Sequence, residues 1–211
     1  MRGDGDGWAT SPGGVRHWGR FGAAGLLLRA PLPAGGSAVL LQHRAPWSHQ
    51  GGTWALPGGA RDSHETAEHA AVREAEEEAG ITADLLRVRA QRLTMTAPSG
   101  WTYITVVADA ESPLATIANK ESSELAWVPE AEVTDLPLHP GFATAWRTLR
   151  AIPLRVEPAD DELAAALPRT VDLRDQGFFW LHTSIDTPGA TIAIDTPTLS
   201  GPTLTRADLL S

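Results

Sequence analysis

Residues 59–81 read GARDSHETAEHAAVREAEEEAGI. Ala67, Ala70, Ala71, Ala75 and Ala79 recur at helical spacing. Thr66 can cap the helix start, and Gly80 stops it where a left-handed residue is wanted. The apolar stripe is made of small side chains, so this helix is expected to lie close against a sheet. Glu65, Glu74, Glu76, Glu77 and Glu78 sit on it or at its entrance, and Glu74, Glu77 and Glu78 share one face at i, i+3, i+4. A solvated acidic face is the plain alternative. Two physical points count against it. Like charges at these spacings each destabilise a helix by roughly 0.2–0.5 kcal/mol. They also crowd the C-terminal half, where the helix dipole favours cations. A divalent cation seated on the cluster accounts for both, because carboxylate oxygens suit hard Mg2+ or Mn2+.

The stretch resembles the signature of the Nudix hydrolases, carried by Gly59, Glu65, Arg73, Glu74, Ala75, Glu77, Glu78, Gly80 and Ile81, with no position departing from it. At about 7% per fixed position, chance occurrence in a chain of this length is on the order of one in a few million. The resemblance implies an α/β fold, the Nudix α/β/α sandwich with a mixed β-sheet. It also implies metal-dependent hydrolysis of a nucleoside diphosphate linked to another group. By similarity, Glu74, Glu77 and Glu78 bind the metal, with Mg2+ expected and Mn2+ as its substitute, and the backbone carbonyl of Gly58 adds a ligand. Arg73 orients the glutamates through charge-assisted hydrogen bonds, and Glu65 supports that network. A further loop glutamate completes the metal site or deprotonates water. Glu121 stands in the matching place, with Glu124 as the alternate.

Outward from this segment, GAAGLLLRA (22–30) and SAVLLQHRA (37–45) read as a hairpin around PLPAGG. TWALP (53–57) is a short strand closed by Pro57, Gly58 and Gly59. LLRVRAQRLTMT (85–96) and WTYITVVADA (101–110) read as a long antiparallel pair, and SELAWV (123–128) as a further strand. Phe142, Trp146 and Leu149 mark one face of a second helix, about 140–150. The resemblance covers roughly residues 21–150. Residues 1–20, rich in Gly and polar side chains, are expected to be a flexible leader. Residues 151–211 form a C-terminal extension, expected to dock on the core or on a second subunit through Phe178, Phe179, Trp180 and Leu181. That leaves a homodimer open. Two strands, 177–184 and 190–195, and a short helical run in DDELAAALPRT are expected within it.

The substrate is expected to be a nucleotide-type small molecule. A nucleoside triphosphate comes first, and ADP-ribose or a nucleotide sugar second. The alternative is a catalytically silent module that binds a nucleotide as a sensor or regulator. Arg44 and Arg61 are candidates for substrate phosphates. Trp47 and Trp101 offer either base stacking or plain packing, whereas Trp54 reads as core.

Composition narrows the rest. There are 17 basic and 26 acidic residues, giving a formal charge of −9. So acidic a chain has no net positive field with which to hold a nucleic-acid polymer. The absence of cysteine removes disulfides, thiolate nucleophiles and cysteine-ligated metals. No apolar run approaches a membrane span. The start, MRGDGDGWATSPGG, lacks a cationic region followed by an apolar one. A cytoplasmic protein is expected.

Overall fold

The computed structural model describes residues 3–33, 36–160, 162–163, 170–172, 178–181, 185–194, 204–206 and 209. The chain divides into two compact units. One comprises Met1–Leu32 and Ala38–Ala145, the other Pro33–Ser37 and Trp146–Ser211.

In the first unit, β1 (Trp8–Thr10) and β2 (Arg16–Trp18) form a small antiparallel hairpin. The main sheet contains β3 (Ala23–Pro31), β4 (Ser37–Arg44), β5 (Trp54–Ala55) and β6 (Gly58–Ala60), and, later in the chain, β7 (Arg87–Thr96), β8 (Thr102–Asp109) and β9 (Ser122–Pro129). Its order is β5-β4-β3-β8-β7, with β6 beside β3 and β9 beside β4. The sheet is mixed: β3 and β8 run parallel, whereas β7–β8, β3–β6 and β4–β9 are antiparallel. The α-helices named among the described residues are α1 (Ala67–Ala79) and α2 (Pro140–Leu149), whose residues fall on both sides of the division at Ala145. This is the α/β architecture the sequence implies. The apolar run Ala23–Leu28 of β3 reflects its central place beside a parallel partner, where both faces are covered; the strand, Arg29 included, is buried along nearly its whole length.

Helix α1 forms as its residues dictate. The Thr66 hydroxyl accepts from the His69 amide, and Gly80 closes the helix at φ 70°, with its N–H on the Glu76 carbonyl. Ala67, Ala70, Ala71, Ala75 and Ala79 are buried with Ala24, Leu26, Leu28, Leu40, Val106 and Ala108 of the sheet. Small side chains on the helix let its axis approach the strands. That approach brings the glutamates of its last turns to β6.

Three readings change. Residues 3–20, expected within a flexible leader, make defined contacts. Trp8 meets Trp18 edge-to-face with ring centroids 5.2 Å apart, Arg16 lies over the Trp8 ring, and His17 stacks on Trp101 at 4.7 Å. Glycine-rich composition signalled freedom, but the glycines here permit close packing. Gly58 and Gly59, read as a turn closing a strand, belong to a strand of their own, β6, paired with Ala24 and Gly25.

The third change is in the second unit, which has its own five-stranded sheet. Its strands are β10 (Ala151–Asp160), β11 (Thr170–Asp172), β12 (Phe178–Leu181), β13 (Ile185–Ile194) and β14 (Leu204–Thr205), in the order β11-β12-β10-β13-β14. Strand β10 was masked in the sequence by Pro153 and Pro158. Pro158 falls at a register shift between Glu157 and Ala159, a position where a missing N–H is tolerated. Phe178–Leu181, the aromatic run, pairs with β10 and β11 inside this sheet. Of the helical run expected in DDELAAALPRT, only Glu162 and Leu163 are described as helix. Asp160 ends β10 and Thr170 begins β11, and the remaining residues of the run lie outside the described residues.

The close helix–sheet approach is testable. Ala71 has no exposed surface. Ala71→Leu is expected to destabilise the fold by about 1–3 kcal/mol through overpacking, measured by urea denaturation. Unchanged stability would show that the helix stands farther from the sheet.

Candidate active site

The candidate site is built where the end of β6 and the last turns of α1 meet. Arg73 is its hub. Its Nε and Nη2 donate to the two oxygens of Glu65 at 2.7 and 3.0 Å, a bidentate pair. Nη1 donates to Glu74 at 2.8 Å and lies 3.5 Å from Glu77, and Nη2 also reaches the Ala60 carbonyl at 3.0 Å. One guanidinium thus ties the loop before the helix, the helix and β6 together. Hydrogen bonding to Arg73 holds the Glu65 carboxyl below the ordinary carboxylate range.

Glu78 is 5% exposed and accepts from the Gly58 amide at 2.8 Å. Burial, reinforced by the charge of Glu74, pushes its carboxyl up to about 7. Burial likewise raises Glu74 to about 7, against the opposing pull of Arg73 and with Glu77 and Glu121 adding repulsion. Glu77 is largely exposed. The close approach explains both glycines. A Cβ on Gly59 would stand 2.5 Å from a Glu74 oxygen, and one on Gly58 2.5 Å from the Ala24 carbonyl. Neither position needs a left-handed backbone; space is the constraint.

Glu121 is exposed, and its charge acts on both Glu74 and Glu78. Its amide is fixed by the Asn119 side-chain oxygen at 2.8 Å, and the Asn119 amide nitrogen donates to the Glu77 carbonyl at 3.2 Å. Glu124 instead lies in β9 opposite His43. Arg44 donates through Nε to the His49 carbonyl and exerts its charge on Tyr103. Arg61 donates to the Glu65 carbonyl at 3.2 Å, so it is part of the box loop. Trp47 is 68% exposed. Trp101 takes the packing role: it stacks on His17 and its Nε1 donates to the Gly19 carbonyl. Trp54 is half-buried, with its ring 4.9 Å from His43.

Four contributors escaped sequence reasoning. The Tyr103 hydroxyl lies close over Gly25 and Gly58. Burial and the nearby Glu78 charge raise its phenol. Asn119 positions Glu121. The buried Gln42 side chain bonds Glu78 and Ser122. Its Oε1 has no hydrogen-bond donor among the described residues. His139 is depressed to about 4 by burial, with Arg44 and His49 adding to it. Only spatial assembly reveals these, since each comes from a different strand or loop.

The donor set fits a hard divalent cation. A half-buried and a buried carboxylate repel each other, the buried Gln42 side-chain oxygen lacks a donor among the described residues, and glycines keep side chains out. Glu74, Glu78, Glu77 and Glu121 are the residues that could hold the ion. Among the described residues, Asp4, Asp62 and His64 also bring ligand atoms within 4.8 Å of one another. The Asp4 and Asp62 carboxylates, however, are already bonded to Ser63 and Gly5.

Comparisons with known proteins agree with this geometry. The NUDIX domain family model matches residues 20–151. A Mycobacterium tuberculosis protein named 8-oxo-dGTP diphosphatase 3 is 60% identical over 185 residues, covering 85% of each chain. A Bifidobacterium longum nucleoside triphosphate pyrophosphatase/Nudix hydrolase fusion protein is 40% identical over 148 residues, covering 67% of this chain and 30% of that one. The crystal structure of the Nudix hydrolase RenU from M. smegmatis superposes with a TM-score of 0.67 at 57% identity, covering 81% of this chain and all of that one.

The raised carboxyls set a pH dependence. Glu78 titrates near 7 when folded and near 4.5 when unfolded. Between these values the folded chain holds a proton that the unfolded chain has released, so stability falls as pH rises through that window. Without metal, Glu78→Gln is expected to melt higher than the wild type above pH 7 and to match it near pH 4.5. Mg2+ is expected to stabilise the wild type more than the variant. A difference in melting temperature that is independent of pH would contradict the burial assigned to Glu78.

Proposed function

The chain belongs to the NUDIX domain family and is a hydrolase of phosphoric anhydrides; from that premise we propose that it performs the divalent-metal-dependent hydrolysis of the pyrophosphate linkage of a nucleoside triphosphate, with oxidised purine nucleotides such as 8-oxo-dGTP as the preferred class. The observation that carries this reading is the pair Glu74 and Glu78, the first half-buried against Gly59 and the second buried on the Gly58 amide, with both carboxyls raised to about 7. Such a pair is unfavourable by itself and becomes favourable with a cation between substrate phosphates and protein. The name of the M. tuberculosis relative supports the choice of substrate.

In this reading Glu74, Glu77 and Glu78 would hold Mg2+, with the Gly58 carbonyl as a further ligand. When bound, the metal neutralises the phosphates and polarises the phosphorus under attack. Arg73 and Glu65 keep Glu74 oriented. Glu121, an exposed carboxylate whose charge acts on both Glu74 and Glu78, accepts the proton of the attacking water. Arg44 offers charge to the phosphates, and the exposed Trp47, three residues farther on, offers a stacking face for the base.

The test is a panel of 8-oxo-dGTP, dGTP, ADP-ribose and a nucleotide sugar, each with and without Mg2+. Metal-dependent release of the nucleoside monophosphate, fastest with 8-oxo-dGTP, is expected. Glu121→Gln is expected to lower kcat far more than it changes KM. Preference for ADP-ribose or the nucleotide sugar would move the substrate class. Binding without turnover would establish the silent-module alternative.

A further inference from the structure

The family match begins at residue 20, yet the residues before it are bonded to the loop that launches the box helix. Both Ser63 donors, its amide and its hydroxyl, go to the Asp4 carboxylate, the amide at 2.9 Å. The Gly5 amide donates to Asp62 at 2.8 Å. On its other side the same segment is fastened to the start of the main sheet. The Arg20 amide donates to the Gly5 carbonyl at 2.9 Å, and the Gly19 amide to the Gly7 carbonyl at 2.7 Å. The fit is tight: a Cβ on Gly5 would stand 2.0 Å from the Arg61 carbonyl, and one on Gly3 2.1 Å from Asp62. Glycine is what allows the segment to lie there.

What the segment holds connects onward to the candidate site. The Asp62 amide donates to Glu65 at 3.0 Å. Glu65 is the bidentate partner of Arg73, and Arg73 is the donor to Glu74. The loop Arg61–Glu65 is therefore gripped from outside at two consecutive residues, one of which orients the glutamate that aligns the hub. We propose that Gly3–Gly7 is a positioning strap, with Asp4 and Asp62 as its working residues, that fixes the box loop so that Glu65, Arg73 and Glu74 are held ready for metal and substrate. This rests on the hydrolase reading of the box given above. Asp4 and Asp62 touch no substrate in it; they act through Glu65.

The test uses the full chain and the variants Asp4→Ala, Asp4→Asn and Ser11→Ala. Ser11 is the control, because its hydroxyl bonds Ser99, away from the box loop. Two readouts are needed: kcat and KM with 8-oxo-dGTP, and Mn2+ affinity by electron paramagnetic resonance. Loss of a charged hydrogen-bonding partner is expected to lower kcat by about five-fold in Asp4→Ala, with KM unchanged and Mn2+ bound more weakly. Asp4→Asn, which keeps an acceptor for Ser63, is expected to recover most of both. Ser11→Ala is expected to match the wild type. Wild-type kcat and Mn2+ affinity in Asp4→Ala would overturn the strap. Equal losses in Asp4→Ala and Ser11→Ala would also overturn it, by reducing the effect to general stability. Failure of the wild type to hydrolyse any nucleotide would overturn the hydrolase reading instead. The Mn2+ titration would then still decide the strap.

Discussion

The guanidinium of Arg73 reaches three parts of the chain at once: Glu65 in the loop before the helix, Glu74 on the helix, and the Ala60 carbonyl at the end of β6. A cation with five fixed donors can do this where lysine could not. The constraint matters because the half-buried Glu74 and the buried Glu78 are like-charged, and nothing in the helix alone would keep them facing β6. Arg73 moderates the charge of Glu74 without neutralising the site. The carboxyls remain raised to about 7, poised to give up protons to a metal.

The packing of α1 serves the same end. An alanine stripe brings the helix close to β3 and β8, and glycine at 58 and 59 lets β6 pass beneath the glutamates. Larger side chains in either place would move the carboxylates away from the Gly58 amide that holds Glu78. The same economy of volume recurs at Gly3 and Gly5, where the N-terminal segment lies against residues 61–62. Small residues in this chain mark places where backbones and carboxylates must meet.

The box was legible in the sequence because all its parts lie in one loop and one helix, where spacing fixes geometry. The cap at Thr66, the stop at Gly80 and the shared face of Glu74, Glu77 and Glu78 follow from a period of 3.6. The strands of the main sheet were legible from alternation or from unbroken apolar runs. Tyr103, Gln42 and Asn119 were not, because each is an ordinary residue of a distant strand or loop, made functional by what it touches. The N-terminal hairpin was missed because Gly-rich sequence reads as free chain; its order comes from tertiary partners, Trp101 and Asp62 among them. Strand β10 was missed because its prolines argue against a sheet locally, yet Pro158 sits at a register shift.

Glu74, half-buried, and Glu78, buried, are the proton-holding carboxyls proposed to receive the divalent ion. Calorimetric titration with Mn2+ at pH 6, in two buffers of different ionisation enthalpy, counts the protons displaced as the ion binds. Proton release is expected at pH 6 and declines toward pH 8, where Glu74 and Glu78 are already ionised. Binding at pH 6 with no proton release would contradict it.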